Sequence, residues 1–78
     1  MPTLFELFGL RFYFFSNEHC PIHVHVENGD GTIKVQVSPS IELLENKGMK
    51  TKDVKRALSI IKLYKSEIMA SWIMYFDD

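Results

Sequence analysis

The sequence predicts an α+β fold, a small antiparallel sheet of three to four strands covered on one face by a long C-terminal helix. Strand formers crowd the first half of the chain, helical periodicity fills the second, and the turn Asn28-Gly29-Asp30-Gly31 joins two alternating runs. Segregation of this kind favours antiparallel layers over an alternating βαβ order. With 78 residues, 46% of them apolar, residues 1–78 make one domain with one modest core rather than a disordered chain.

Each element has its own signal. Residues 3–8 read as extended up to a break at Gly9. Residues 10–15 are dominated by aromatics and predict a strand whose faces, Leu10/Phe12/Phe14 and Arg11/Tyr13/Phe15, are both substantially apolar. Ser16-Asn17-Glu18 is a loop. Pro21 holds Cys20 extended and lacks a ladder donor, so a central strand begins only after it. Residues 23–28 then alternate, with Val24 and Val26 on one face and His23, His25 and Glu27 on the other.

The Asn-Gly-Asp-Gly turn supplies residues that tolerate positive φ. Residues 32–38 follow, with Ile33, Val35 and Val37 inward and Thr32, Lys34 and Gln36 outward. A two-residue turn at Gly29-Asp30 and a four-residue loop from Asn28 to Gly31 give the same register. Glu27 faces Thr32, His25 faces Lys34 and His23 faces Gln36, so the branched apolar faces coincide.

Pro39 interrupts before a short edge strand over residues 41–44, and Glu45-Asn46-Lys47-Gly48 turns the chain. Thr51 is the expected N-cap, with Asp53 complementing the helix dipole. Val54, Leu58, Ile61, Tyr64, Ile68, Trp72 and Tyr75 then recur at three- and four-residue steps, with Ala57 beside them. The pattern is one long amphipathic helix, or two with a break near Lys65-Ser66.

The formal net charge of −1 gives no global field toward nucleic acid or an anionic membrane. No apolar run reaches the roughly 18 residues of a spanning helix. The first residues lack the basic stretch of a signal peptide, and the single cysteine, Cys20, has no partner for an intramolecular disulfide. A cytoplasmic address without membrane contact is the expectation.

The concentrated chemistry lies in His19-Cys20-Pro21-Ile22-His23-Val24-His25. On a strand, His23 and His25 project to one face about 7 Å apart along the chain. They can share one metal ion with His19 from the loop; zinc accepts three nitrogens plus water, and Glu27 on the same face is an alternative ligand. Lys34 opposite His25 favours neutral imidazole, the state of a ligand or general base. The same histidines could cleave a phosphodiester without metal, one accepting and one donating a proton. The structural alternative is that they pack and hydrogen-bond on a polar sheet face. Tyr13, His23, His25, Glu27 and Lys34 then form a binding surface, and the apolar share of that face suits a protein partner or a second copy of the chain. Cys20 alone gives no basis for a reactive thiol.

Seven of the nine Lys and Arg residues fall within residues 47–65, against one acid, Asp53. Lys52, Lys55, Arg56 and Lys62 form a stripe away from the apolar one, which is either a solvated helix face or a track for a phosphate backbone.

The run Asn17-Glu18-His19-Cys20-Pro21-Ile22-His23-Val24-His25-Val26-Glu27-Asn28-Gly29 resembles the signature N-[DE]-H-x-P-P-H-x-H-V-E-x-G of a small bacterial family, domain of unknown function 4160. Met1-Pro2-Thr3 and the later Glu67-Ile68 with Trp72 match its ends. Ile22 stands where many members have a second proline; all three histidine positions match. The resemblance implies a bacterial protein and assigns no reaction, although some members resemble parts of toxin–antitoxin-like gene pairs. The residues leave three functions open. One is a non-enzymatic protein-interaction module in a regulatory or toxin–antitoxin-like pair. Another is a zinc- or histidine-dependent hydrolase, nuclease-like, built on His19, His23 and His25. The last is nucleic-acid binding through the basic helix face.

Overall fold

Antiparallel pairing of strands that follow one another in the chain builds the whole sheet. The computed structural model describes residues 3–14 and 22–76. Five strands lie in chain order, each hydrogen-bonded to the next: β1 Thr3–Leu7, β2 Leu10–Tyr13, β3 His23–Glu27, β4 Thr32–Gln36 and β5 Glu42–Lys47. Two helices follow, α1 Thr51–Leu63 and α2 Lys65–Tyr75. The α+β class and the antiparallel pairing are as expected, with five strands instead of three or four. The C-terminal segment takes the second of its two expected forms, two helices rather than one long one. No helix among the described residues is long and apolar enough to cross a membrane.

The first hairpin turns on two residues, Phe8 and Gly9, with φ of 54° and 77°, so that Leu7 pairs with Leu10. Both central residues have positive φ, as a hairpin turn matched to strand twist requires, and glycine serves only the second. The β3–β4 register is the expected one, with His23 opposite Gln36, His25 opposite Lys34 and Glu27 opposite Thr32. Asn28 closes its loop: its side-chain oxygen accepts from the N–H of Asp30 (2.9 Å) and of Gly31 (3.1 Å). Its amide donates to Asp53 in the first turn of α1 (3.3 Å), tying the hairpin to the helix.

The expected turn over residues 45–48 proves to be mostly strand, because β5 continues to Lys47 and only Gly48, at φ 93°, turns. A bulge at Leu44 interrupts its pairing with β4, and all six residues of β5 are exposed. Asn46 closes the following turn, donating to the carbonyl of Met49 (3.1 Å) and accepting from its N–H (2.9 Å).

Thr51 is the first helical residue rather than the cap; Lys50 occupies the N-cap and makes no capping side-chain hydrogen bond. The break expected near Lys65-Ser66 falls at Tyr64, where φ is −104° and ψ 21°. The helical hydrogen bonds persist through it, from Tyr64 N–H to the Ile60 carbonyl and from Ile68 N–H to the Tyr64 carbonyl, each 2.9 Å. α1 and α2 are therefore joined through Tyr64 without a loop, at a local distortion where the Tyr64 ring meets Phe5, 5.4 Å between centroids.

One buried cluster joins Phe12, Phe14, Val24, Val26, Ile33, Val35 and Val37 of the sheet to Val54, Ala57, Ile60, Ile61, Ile68 and Trp72 of the helices. Tyr75 departs from the expected inward stripe and stands exposed, as do its neighbours Ile73 and Met74. Apolar residues surround α2, so a three- and four-residue repeat can be traced along more than one of its sides.

Candidate functional site

Alternation in β2 and β3 puts Arg11, Tyr13, His23, His25 and Glu27 on the sheet face opposite the valine layer. Pairing of Arg11 with Glu27 and of Tyr13 with His25 sets them side by side. The rings form a continuous row. Arg11 lies over Tyr13, 4.3 Å from guanidinium carbon to centroid. Tyr13 stacks on His25 at 5.4 Å, His25 meets His23 edge-on at 5.5 Å, and His23 meets Trp72 at 5.4 Å. Trp72 in turn packs edge-on against Phe14 of the core at 5.2 Å, so the row joins the main core at that end.

The sequence-derived expectation was that this face would be displayed. Instead Tyr13, His23 and His25 are buried, at 5%, 6% and 9% exposure. Every buried side-chain nitrogen and oxygen among the described residues has a hydrogen-bond partner. Satisfied polar atoms and ring-on-ring contacts are what a packed layer requires. Lys34, half-buried, faces His25 on one side and Glu45 of β5 on the other.

Glu27 is held by Arg11, whose Nε donates to its Oε2 at 3.2 Å; the Arg11 terminal nitrogen also donates to the Thr3 hydroxyl at 2.9 Å. The hydrogen bond from Arg11 is the main cause that keeps the Glu27 carboxyl below its ordinary value, with a further hydrogen bond from Tyr13 acting the same way. Arg11 is raised correspondingly, first by that same hydrogen bond. The pair was not foreseen, although Arg11 and Tyr13 had been placed on one strand face. Its position depends on the β2–β3 register, and the connecting residues carry no turn signal that fixes it.

As a zinc centre, the arrangement contributes His23 and His25, with Glu27 engaged by Arg11. His19, the third expected ligand, and Cys20 lie outside the described residues. Among the described residues no three His, Cys, Asp or Glu side chains stand together as a ligand set. As an acid–base pair, the two imidazoles are close enough to act on one substrate group, and their burial restricts what can reach them.

The nucleic-acid candidates Lys52, Lys55, Arg56 and Lys62 all stand exposed on α1. Asp53, the one acid among them, is turned toward Asn28. The sequence reading gave no functional weight to Phe8, 72% exposed at the first hairpin tip with Arg56 against its ring, 5.2 Å from the guanidinium carbon to the centroid. Its position before Gly9 between two apolar strands was the available signal. An open groove of about 620 Å³ also lies between the β4–β5 connection and α1, lined by Pro39, Ser40, Ile41, Leu58, Lys62 and Lys65.

A five-stranded antiparallel meander, with helices on one face and a ring-packed histidine pair on the other, defines the class of protein. Within that class the chain belongs to the family described as Domain of unknown function (DUF4160), whose family model matches residues 9–73. The resemblance read from the sequence holds over that span. No curated protein and no solved structure matches the chain.

Proposed function

We propose that the protein is a non-enzymatic protein-interaction module, of the kind that forms one half of a small regulatory or toxin–antitoxin-like pair. The observation that supports this reading is the exposure of large apolar side chains on the two helices: Leu63 at 75% on α1, and Ile73 at 59%, Met74 at 81% and Tyr75 at 47% on α2. Ile73, Met74 and Tyr75 are consecutive, and adjoining apolar exposure of this kind on a small domain marks a surface that another protein covers. The reading moves the interaction surface from the sheet face carrying Tyr13, His23, His25, Glu27 and Lys34 to the helices. The histidine row becomes the packing layer behind it, anchored through Trp72.

Sedimentation velocity over a dilution series tests it, with Met74→Lys and Ile73→Lys as variants. Self-association that weakens on dilution and disappears in the variants supports a second copy as partner. A wild-type monomer at every concentration, with no partner whose capture the two variants abolish, overturns the reading.

A histidine- or zinc-dependent hydrolase of nuclease type is the second reading, favoured by the 5.5 Å between the His23 and His25 rings. Phosphodiester cleavage that His25→Ala abolishes with the fold intact supports it. Cleavage unaffected by that change, or absent with and without zinc, sinks it.

A further inference from the structure

The fold assembles an exposed aromatic ring and a row of cations that neither sheet face uses. Phe8 has φ of 54°, a left-handed conformation that bulky side chains rarely adopt. The turn therefore holds an energetically unfavourable residue whose ring is mostly in solvent, at 72% exposure. Backbone strain of this kind concentrates at binding sites. One face of the ring meets the Arg56 guanidinium at 5.2 Å, and the exposure leaves the other face open. Tyr64, just past the end of α1, packs against Phe5 of β1, and Arg56 reaches the hairpin tip from the same helix.

From Lys52 to Lys62 the helix rises about 15 Å. Lys52, Lys55, Arg56 and Lys62 fall on the exposed side of that span. Among the described residues the three lysines have no ion-pair partner, in contrast to Lys47 with Glu45 and Lys50 with Asp30. The acid that could neutralise the row, Asp53, accepts from Asn28 instead.

We propose that Phe8 and the basic side of α1 form a site for single-stranded nucleic acid. A base stacks on the open face of Phe8, and the phosphates lie along Lys52, Lys55, Arg56 and Lys62. An acidic peptide satisfies the cations but covers the aromatic plane only where it happens to carry a side chain that stacks, whereas every base offers a π-face. A duplex keeps its bases stacked on one another, so the strand must be single. The site uses none of Leu63, Ile73, Met74 and Tyr75, although Leu63 adjoins Lys62 on α1, and it stands or falls independently of the proposed protein-interaction surface.

Fluorescence anisotropy with labelled oligothymidine and oligouridine tests the site, with unlabelled oligonucleotide and polyglutamate as competitors. Binding at low salt is expected, with log K falling against log salt by roughly 0.7 per phosphate engaged. Neutralising Lys52, Lys55 and Lys62 to glutamine reduces that slope by about 2. Phe8→Ala weakens binding roughly tenfold, and Phe8→Tyr retains it. Preference for oligouridine assigns the site to RNA, and equal binding assigns it to either strand chemistry. Three results would each overturn the proposal. These are no binding of either oligonucleotide, displacement by polyglutamate as effective as by unlabelled strand, and wild-type affinity in a folded Phe8→Ala protein.

Discussion

Gly31 has no space for a methyl group. A Cβ there would run into the Lys47 carbonyl oxygen, with the Gly48 carbonyl carbon at 2.7 Å and the Met49 nitrogen at 2.8 Å. These are backbone atoms that no rotamer change can move aside. Gly31→Ala is expected to destabilise the fold by about 2–3 kcal/mol, read as a lower denaturant midpoint. Glu27 gives a prediction that depends on pH. Its folded pKa is depressed, so its contribution is present above the ordinary value of 4.5 and is lost as pH falls through the lower folded value. Wild type should therefore lose stability on acidification across that window. Glu27→Gln should flatten this part of the curve in melts recorded from neutral to strongly acid pH. An unchanged slope would mean that the Arg11 contact contributes nothing across that window.

At the scale of elements, the first helical turn is the weakly made part. Lys50 sits at the N-cap with φ −70° and ψ 149°, a backbone suited to capping, but its side chain makes no capping hydrogen bond and places a cation at the positive end of the dipole. Lys50→Ser should add about 1 kcal/mol, visible as a higher Tm. The substitution gives up an exposed contact with Asp30 at 3.9 Å, worth little. The β3–β4 hairpin was legible in the sequence because alternation and turn chemistry both specify its register. β5 was truncated in the reading because Glu45-Asn46-Lys47 has the composition of a turn, and an edge strand with no buried residue carries no alternation to show otherwise. A break was expected near Lys65-Ser66, but no Pro or Gly marks Tyr64 itself, and the distortion coincides there with a ring contact from β1, a tertiary fact. The histidines were placed on the right strand and face, but their burial was not, since nothing in a two-residue alternation tells a solvated face from a packed one.

For the whole molecule, Trp72 is the side chain through which the two sides of the sheet meet. It contacts Phe14 of the core and His23 of the opposite face, and Phe76 lies 4.4 Å from it. Trp72→Ala should therefore cost about 3–5 kcal/mol, a large part of the roughly 5–15 kcal/mol that holds a domain folded. Loss of the cooperative thermal transition by circular dichroism is the expected result. A variant with a wild-type melt would show that the histidine row is supported without the tryptophan.

The strand order has a consequence for synthesis of the chain. Because every strand pairs with its predecessor, each hairpin can close as soon as its second arm leaves the ribosome. The valine layer finds its cover only when α1 and α2 have also emerged, roughly one to five seconds later at ordinary rates of elongation. During that interval a nearly complete sheet presents a bare apolar surface, with an unpaired arm at each side. The nascent chain is then at its most adhesive, and a chaperone that recognises exposed branched side chains has its best opportunity to hold it.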